Sequence, residues 1–143
     1  MNCKIIIIGN EILSGFTQDS NSFFLINSLS KIGINIKQVV CVSDNILEIQ
    51  NQLDFDFDLI ILSGGLGPTS DDLTSKALSD YFLDLNPELI KNSIGTASGL
   101  HYIYKNTSII ALPGVPSELK NMFLKEVLPK PTPVKKQGSC SCC

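Results

Sequence analysis

Leu59-Ile60-Ile61-Leu62-Ser63-Gly64-Gly65-Leu66-Gly67-Pro68-Thr69-Ser70-Asp71-Asp72 is the stretch whose reading decides the fold. Its first four residues are apolar with no polar position between them, which reads as a strand covered on both faces. Three glycines, Gly64, Gly65 and Gly67, then end the run. Behind them Ser70 or Asp71 can cap a helix from about Asp72 to Phe82, with Leu73, Ala77, Leu78 and Tyr81 on one face. A buried strand, a glycine turn and a helix make up the unit from which parallel α/β sheets are built.

The same alternation continues on both sides. Ile5-Ile6-Ile7-Ile8, the run from Ile36 to Val42, and Ile109-Ile110-Ala111-Leu112 read as further buried strands. Phe24, Leu25, Leu29 and Ile32 fall at helical spacing; Asp19 or Ser20 can cap that helix and Gly33 ends it. A short helix is expected from Ile46 to Leu53. Another begins after Pro116, with Leu119, Met122, Phe123 and Val127 inward. Leu100 to Tyr104 and the strand from Ile109, joined by Lys105-Asn106-Thr107, read as a β-hairpin. The stretch from Leu85 to Gly99, rich in Asn, Ser and Gly, reads as mostly loop. The expected architecture is a three-layer α/β/α sandwich with a mostly parallel sheet.

At 143 residues the chain is the size of one domain. We place that domain at residues 1–130 and a disordered Pro- and Lys-containing tail at 131–143. The net charge of −3 argues against a basic face for nucleic acid. No apolar run reaches the roughly 20 residues of a membrane span, and the first residues lack the layout of a signal peptide. A cytoplasmic chain with no membrane attachment is the expectation. Cys3 and Cys41 lie in or beside apolar runs and read as buried thiols. Cys140, Cys142 and Cys143 are spaced too tightly for zinc.

Three strand-to-helix junctions could carry chemistry, because open α/β sheets bind ligands beyond the carboxyl ends of their strands. They are the segments from Gly9 to Asn21, from Ser63 to Asp72, and from Pro113 to Glu118. In the second, the backbone N–H groups of Ser63, Gly64, Gly65, Gly67 and Thr69 can approach an anion closely, as a phosphate seat. A tight turn needing positive φ explains the same glycines. No lysine follows them, unlike in a Walker loop. Asp71 and Asp72 would repel a phosphate unless a divalent cation intervened, so a Mg²⁺-type site is one reading. Helix capping and a favourable charge at the helix start is the other. Asp44 and Glu11 could face the same rim, and Gly114 and Ser117 supply the third junction.

Gly9-Asn10-Glu11-Ile12-Leu13, Asp19 with Asn21, Gly64-Gly65-Leu66-Gly67-Pro68-Thr69 with Asp71-Asp72, Gly95-Thr96-Ala97, and Leu112-Pro113-Gly114-Val115-Pro116-Ser117-Glu118 together resemble the CinA family (competence/damage-inducible protein A). The amino-terminal domain of that family is similar to the MoaB/Mog molybdopterin-binding fold. The segment from Thr17 to Leu25 also resembles the matching domain of eukaryotic FAD synthases. The likeness runs from about Ile5 to Leu128. It implies a homo-oligomer and a divalent metal (Mg, Mn or Co). It also implies hydrolysis of a nucleotide diphosphate bond, as in ADP-ribose or FAD. Asp72 stands at the family's acidic position after the glycine loop and Asp44 at the one after the second strand; both are the catalytic candidates, with Asp71 and Asp72 toward the metal. The alternatives are a molybdopterin-binding adenylyltransferase of molybdenum cofactor biosynthesis, or a non-catalytic remnant.

Three departures from the family stand out. The nicotinamide mononucleotide deamidase domain many members carry is not expected within these 143 residues. Only Leu83 to Lys91 stands where they have a few tens of helical residues. Asn10 replaces the usual Asp or Thr. The shortened segment is expected to leave Tyr81 and Phe82 partly uncovered.

The end, Lys135-Lys136-Gln137-Gly138-Ser139-Cys140-Ser141-Cys142-Cys143, resembles the doubly prenylated ends of Rab GTPases, but lipidation of such ends needs the GTPase body. We read it as an accidental or fused end. Deleting residues 131–143 should therefore leave the thermal unfolding midpoint unchanged. A lowered midpoint, or prenyl groups on Cys142 and Cys143 by mass spectrometry, would contradict that reading.

Overall fold

The computed structural model describes residues 1–15, 19–66 and 73–128. The elements in chain order are β1 (Asn2–Ile8), α1 (Asn10–Leu13), α2 (Asn21–Lys31), β2 (Asn35–Val42), α3 (Ile46–Asn51) and β3 (Leu59–Ser63). They continue with α4 (Leu73–Tyr81), β4 (Glu88–Ile90), β5 (Gly99–Tyr104), β6 (Thr107–Leu112) and α5 (Pro116–Met122), which runs on as a π-helical turn, Phe123–Val127. One six-stranded sheet has the order β2-β1-β3-β6-β5-β4. The pairs β1–β2, β1–β3 and β3–β6 are parallel, and β5–β6 and β4–β5 are antiparallel.

The continuous apolar runs do what their pattern implies. On β1, Cys3, Ile5 and Ile7 face one helical layer while Ile6 and Ile8 face the other. The first layer is α2 with α5, through Leu25, Leu29, Leu119, Met122 and Phe123. The second is α3 with α4, through Ile49, Ala77 and Leu78, and Phe82 beside them. Each fully buried Ile or Leu contributes about 1.5–3 kcal/mol, so β1, β3 and β6 anchor the domain. The result is the three-layer α/β/α sandwich expected.

Three local expectations need correction. The run from Ile36 to Val42 is not covered on both faces, because β2 is an edge strand and mostly exposed. Its register slips opposite Cys3 and Lys4, so Ile36 pairs with Cys3 on one face while Val40 pairs with Ile6 on the other. Cys41, on that edge, is exposed rather than buried. The stretch from Leu85 to Gly99 is mostly loop as expected, with the short strand β4 within it, held by pairing to β5 rather than by any pattern of its own. Tyr81 is 44% exposed, whereas Phe82 is 3% exposed and packed against Phe55, Tyr102 and Tyr104. Only Tyr81 of the pair is therefore uncovered.

The hairpin turn is two residues long. Lys105 and Asn106 both take positive φ, 52° and 66°, and Thr107 already belongs to β6. That double left-handed turn matches the twist of the strands it joins. The segment before β5 is tied down by side chains. Asn92 Nδ2 donates to Ala97 O and to Glu118 Oε1, both at 2.9 Å, and Asn92 Oδ1 accepts from Gly95 N at 2.9 Å. This clasp fastens the loop after β4 to the first turn of α5.

Burial pushes the Cys3 thiol up from 9.0 to about 12. The folded state thus keeps this proton to a higher pH than the unfolded chain. The associated stability is intact below the unfolded value of 9.0 and is lost as pH climbs toward about 12. Cys3→Ala should therefore lose less stability between about pH 9 and about pH 11 than the parent, by urea unfolding at each pH. Equal alkaline losses in the two proteins would remove Cys3 from the account.

Candidate functional site

The chain runs from β1 to β2 on one side and, after α3, to β3 on the other side of β1. A crevice opens where the direction reverses, beyond the carboxyl ends of the two strands. Here that crevice is a cleft of about 600 Å³ lined by Ile8, Glu11, Asp44, Gly64, Gly65, Leu73, Gly114 and Val115. Each of the parallel strands β1, β2, β3 and β6 delivers a residue or the loop after it to this wall.

Glycine is required at the centre for steric reasons. Gly64 has φ +107°, and a Cβ there would lie 2.3 Å from Ile8 O. Gly65 has φ +69°, and its Cβ would fall 2.1 Å from Thr74 Oγ1. A Cβ on Gly114 would lie 3.2 Å from Gly64 Cα. The ends of β1, β3 and β6 thus meet backbone to backbone. Hydrogen bonds fix the contact. Gly64 N donates to Leu112 O at 3.0 Å, Thr74 Oγ1 donates to Gly64 O at 2.7 Å, and Thr74 N donates to Gly65 O at 3.0 Å. Thr74, buried on α4, closes the glycine turn from behind.

The carboxylates approach from β1 and β2. Gly9 N donates to Val42 O at 3.1 Å, and Asp44 N donates to Asn10 Oδ1 at 3.1 Å, so the two loops travel together. Asn10, the family departure, therefore has a structural task here. Asn45 caps α3 by accepting from Glu48 N at 3.0 Å, which holds Asp44 just before the helix. Asp44 and Glu11 are both exposed on the cleft wall.

Of the residues expected at the site, Ser63, Gly64, Gly65, Gly114 and Asp44 are brought to this rim, with Glu11 beside them. Ser117 is exposed on the first turn of α5 and is absent from the cleft lining. Gly67, Thr69, Asp71 and Asp72, and the tail, lie outside the described residues. Among the described residues no group of three or more His, Cys, Asp or Glu could hold a metal ion, and no helix is long and apolar enough to cross a membrane. Asn21 is the residue that sequence reading left without a role. Its side chain reaches from α2 to the ends of two strands, donating to Ser63 Oγ at 3.0 Å and to Gly114 O at 2.9 Å. The signal available was its place two residues after Asp19, at the start of a helix.

Comparison with known proteins agrees with this geometry. The family described as "Probable molybdopterin binding domain" matches residues 4–132. A CinA-like protein of Flavobacterium psychrophilum is 35% identical over 91% of this chain, which spans 40% of that relative's length. A protein of Pyrococcus abyssi is 33% identical over 91% of this chain and 69% of its own length. Among solved structures, CinA of Thermoplasma acidophilum, described as of unknown function, superposes with TM-score 0.77 at 28% identity, covering 86% of this chain and 94% of that one. MoaB of Thermus thermophilus gives TM-score 0.71 at 20% identity, with 90% and 89% covered, a likeness of fold alone. The Flavobacterium alignment runs over 168 residues, whereas 91% of 143 is about 130, so roughly 38 positions of that relative have no counterpart here.

The close contact at Gly64 generates a prediction. Gly64→Ala places a methyl group against Ile8 O in a backbone conformation that alanine rarely adopts. It should cost about 2 kcal/mol or more of stability, read by chemical denaturation. A loss under about 0.5 kcal/mol, the level of an ordinary surface change, would mean that this packing does not constrain the fold.

Proposed function

This chain belongs to the probable molybdopterin-binding domain family, and on that premise we propose that it binds a nucleotide diphosphate of the ADP-ribose or FAD kind with a divalent cation and hydrolyses its pyrophosphate bond. One observation carries the reading: among the described residues the cleft wall combines close-approach backbone at Gly64 and Gly65 with two carboxylates, Glu11 and Asp44, and no cationic side chain. Backbone alone does not neutralise a pyrophosphate. A hard divalent cation held by carboxylate oxygens supplies the missing charge. Glu11 and Asp44 are donors of the right chemistry, and Asp72 and Asp71 join them by the family resemblance.

When bound, the metal would polarise the phosphoryl oxygens and lower the proton affinity of water. The chain's own residues do the rest. Gly64 and Gly65 give the phosphate room against the backbone. Asp44, at the end of β2, accepts the proton released by the attacking water. Leu73 and Val115, on the same wall, limit solvent on the apolar side. The CinA-type loop Leu66-Gly67-Pro68-Thr69 favours hydrolysis over adenylyl transfer to a pterin.

Asp72→Asn keeps the side chain's shape and removes its charge. It should spare the fold and weaken Mg²⁺-dependent ADP-ribose binding or turnover on the order of 10–100-fold, by analogy with losses around other metal sites. Affinity is measured at several Mg²⁺ concentrations for both proteins. If both bind alike and neither responds to metal, the paired aspartates only start a helix and the metal-dependent reading is wrong. Turnover of ATP with a pterin acceptor, and none of ADP-ribose or FAD, would replace hydrolysis by adenylyl transfer.

A further inference from the structure

Beside the main cleft lies a smaller pocket of about 60 Å³, walled by residues that include Glu11, Asp19, Ser20, Asn21 and Ser63. It shares Ile8, Glu11 and Gly114 with the main cleft, so the two are neighbours along one wall. Its volume suits one or two hydroxyl-sized groups, a water's share of liquid being about 30 Å³.

The polar groups on its wall are mostly acceptors. Asp19 is held in place by Ser22, whose N–H donates to Oδ1 at 3.1 Å and whose hydroxyl donates to Oδ2 at 2.6 Å, leaving each oxygen a further lone pair. Glu11 adds a second carboxylate. Asn21 is 7% exposed, and its Oδ1 is buried with no hydrogen-bond partner among the described residues. The amide cannot resolve this by turning over. Both Nδ2 hydrogens are committed, and a turned amide would set Oδ1 against Gly114 O, which only accepts. A buried acceptor without a donor is an arrangement proteins rarely keep without a use. Among the described residues on the wall none carries a positive charge.

We infer that this pocket is a subsite for the sugar hydroxyls of the nucleotide whose phosphates lie along Gly64 and Gly65. The inference rests on the nucleotide reading above. The ligand group must donate hydrogen bonds, must be small, and must sit one group away from a phosphate. The vicinal diol of a ribose meets all three conditions, and paired acceptors read a diol through two O–H donors. Asn21 then acts twice: Nδ2 holds the ends of β3 and β6 together, and Oδ1 accepts from the sugar.

The test measures the affinity of ADP and of 2′,3′-dideoxy-ADP, each with Mg²⁺, by titration calorimetry on the full chain. The parent should bind ADP about tenfold or more tightly than the dideoxy compound, as two net hydrogen bonds imply. Asp19→Asn and Asn21→Leu, each removing one of the two acceptors, should cut the ratio to about threefold; if Asn21→Leu does not fold, Asp19→Asn decides. Gly65→Ala should weaken both ligands together and preserve the ratio. Equal binding of the two ligands by the parent overturns the subsite while leaving the phosphate seat intact. A preference that is undiminished in Asp19→Asn overturns it as well, because the hydroxyls are then read elsewhere. If the parent binds neither compound, the nucleotide reading fails and the subsite with it.

Discussion

The backbone contact at Gly64 is the constraint on which the functional end of this domain depends. Ile8 O stands on one side of it and Gly114 on the other, so three strand ends converge with no side chain between them. Elsewhere side chains project above and below the sheet and fill the layers with Ile and Leu. At this one point the chain removes them, and peptide groups take their place on the surface. A cleft walled by peptide groups is suited to an anion in a way that a cleft walled by aliphatic side chains is not. The contact also explains why the second junction needs help from outside itself. Thr74 from α4 and Leu112 from β6 supply the hydrogen bonds that a loop of glycines cannot supply from its own side chains.

Once that geometry is set, the charges around it point in one direction. Glu11, in α1, and Asp19 and Asp44, in loops, all belong to the segments that follow β1 or β2, and all lie at this end of the sheet. A carboxylate-rich rim around a peptide-lined seat would repel a bare phosphate. The combination makes chemical sense with a cation between the two, or with ligand groups that donate hydrogen bonds. The main cleft is suited to the first and the small pocket to the second. This division comes from which side chain lies on which wall, and net charge alone would not have revealed it.

The parallel half of the sheet was legible because its strands are buried on both faces and say so in unbroken apolar runs. The hairpin was legible for the same reason on β6, helped by the polar turn at Lys105 and Asn106. The glycine loop announced itself by composition. What escaped has a common physical cause: it depends on partners distant in sequence. Glu88 to Ile90 becomes a strand only because β5 offers an edge. Ile36 to Val42 looks like a core strand, yet β1 has neighbours on both sides and β2 has only one, so Cys41 is left outside. Asn21 meets Ser63 and Gly114 across 42 and 93 residues of sequence, and no local pattern encodes that. The clasp of Asn92 on Glu118 is of the same kind.

The shortened segment after Phe82 bears on whether the cleft is complete. Tyr104 pairs with Thr107 at the start of β6, and Leu100 pairs with Ala111 near its end. The rings of Phe55, Tyr81, Phe82 and Tyr104 therefore gather at the end of the sheet away from the cleft, and they close the core there among themselves. From that end the chain returns through β4, and the loop after it is fastened to Glu118 at the cleft end. The described cleft wall is drawn from the ends of β1, β2, β3 and β6 and from the start of α4. None of these is supplied by the stretch between Phe82 and Lys91, where the family resemblance places the missing residues. Within that stretch Leu83 and Leu89 are exposed, Leu89 on the edge strand β4. The described part of the cleft is thus built without any residue of that stretch.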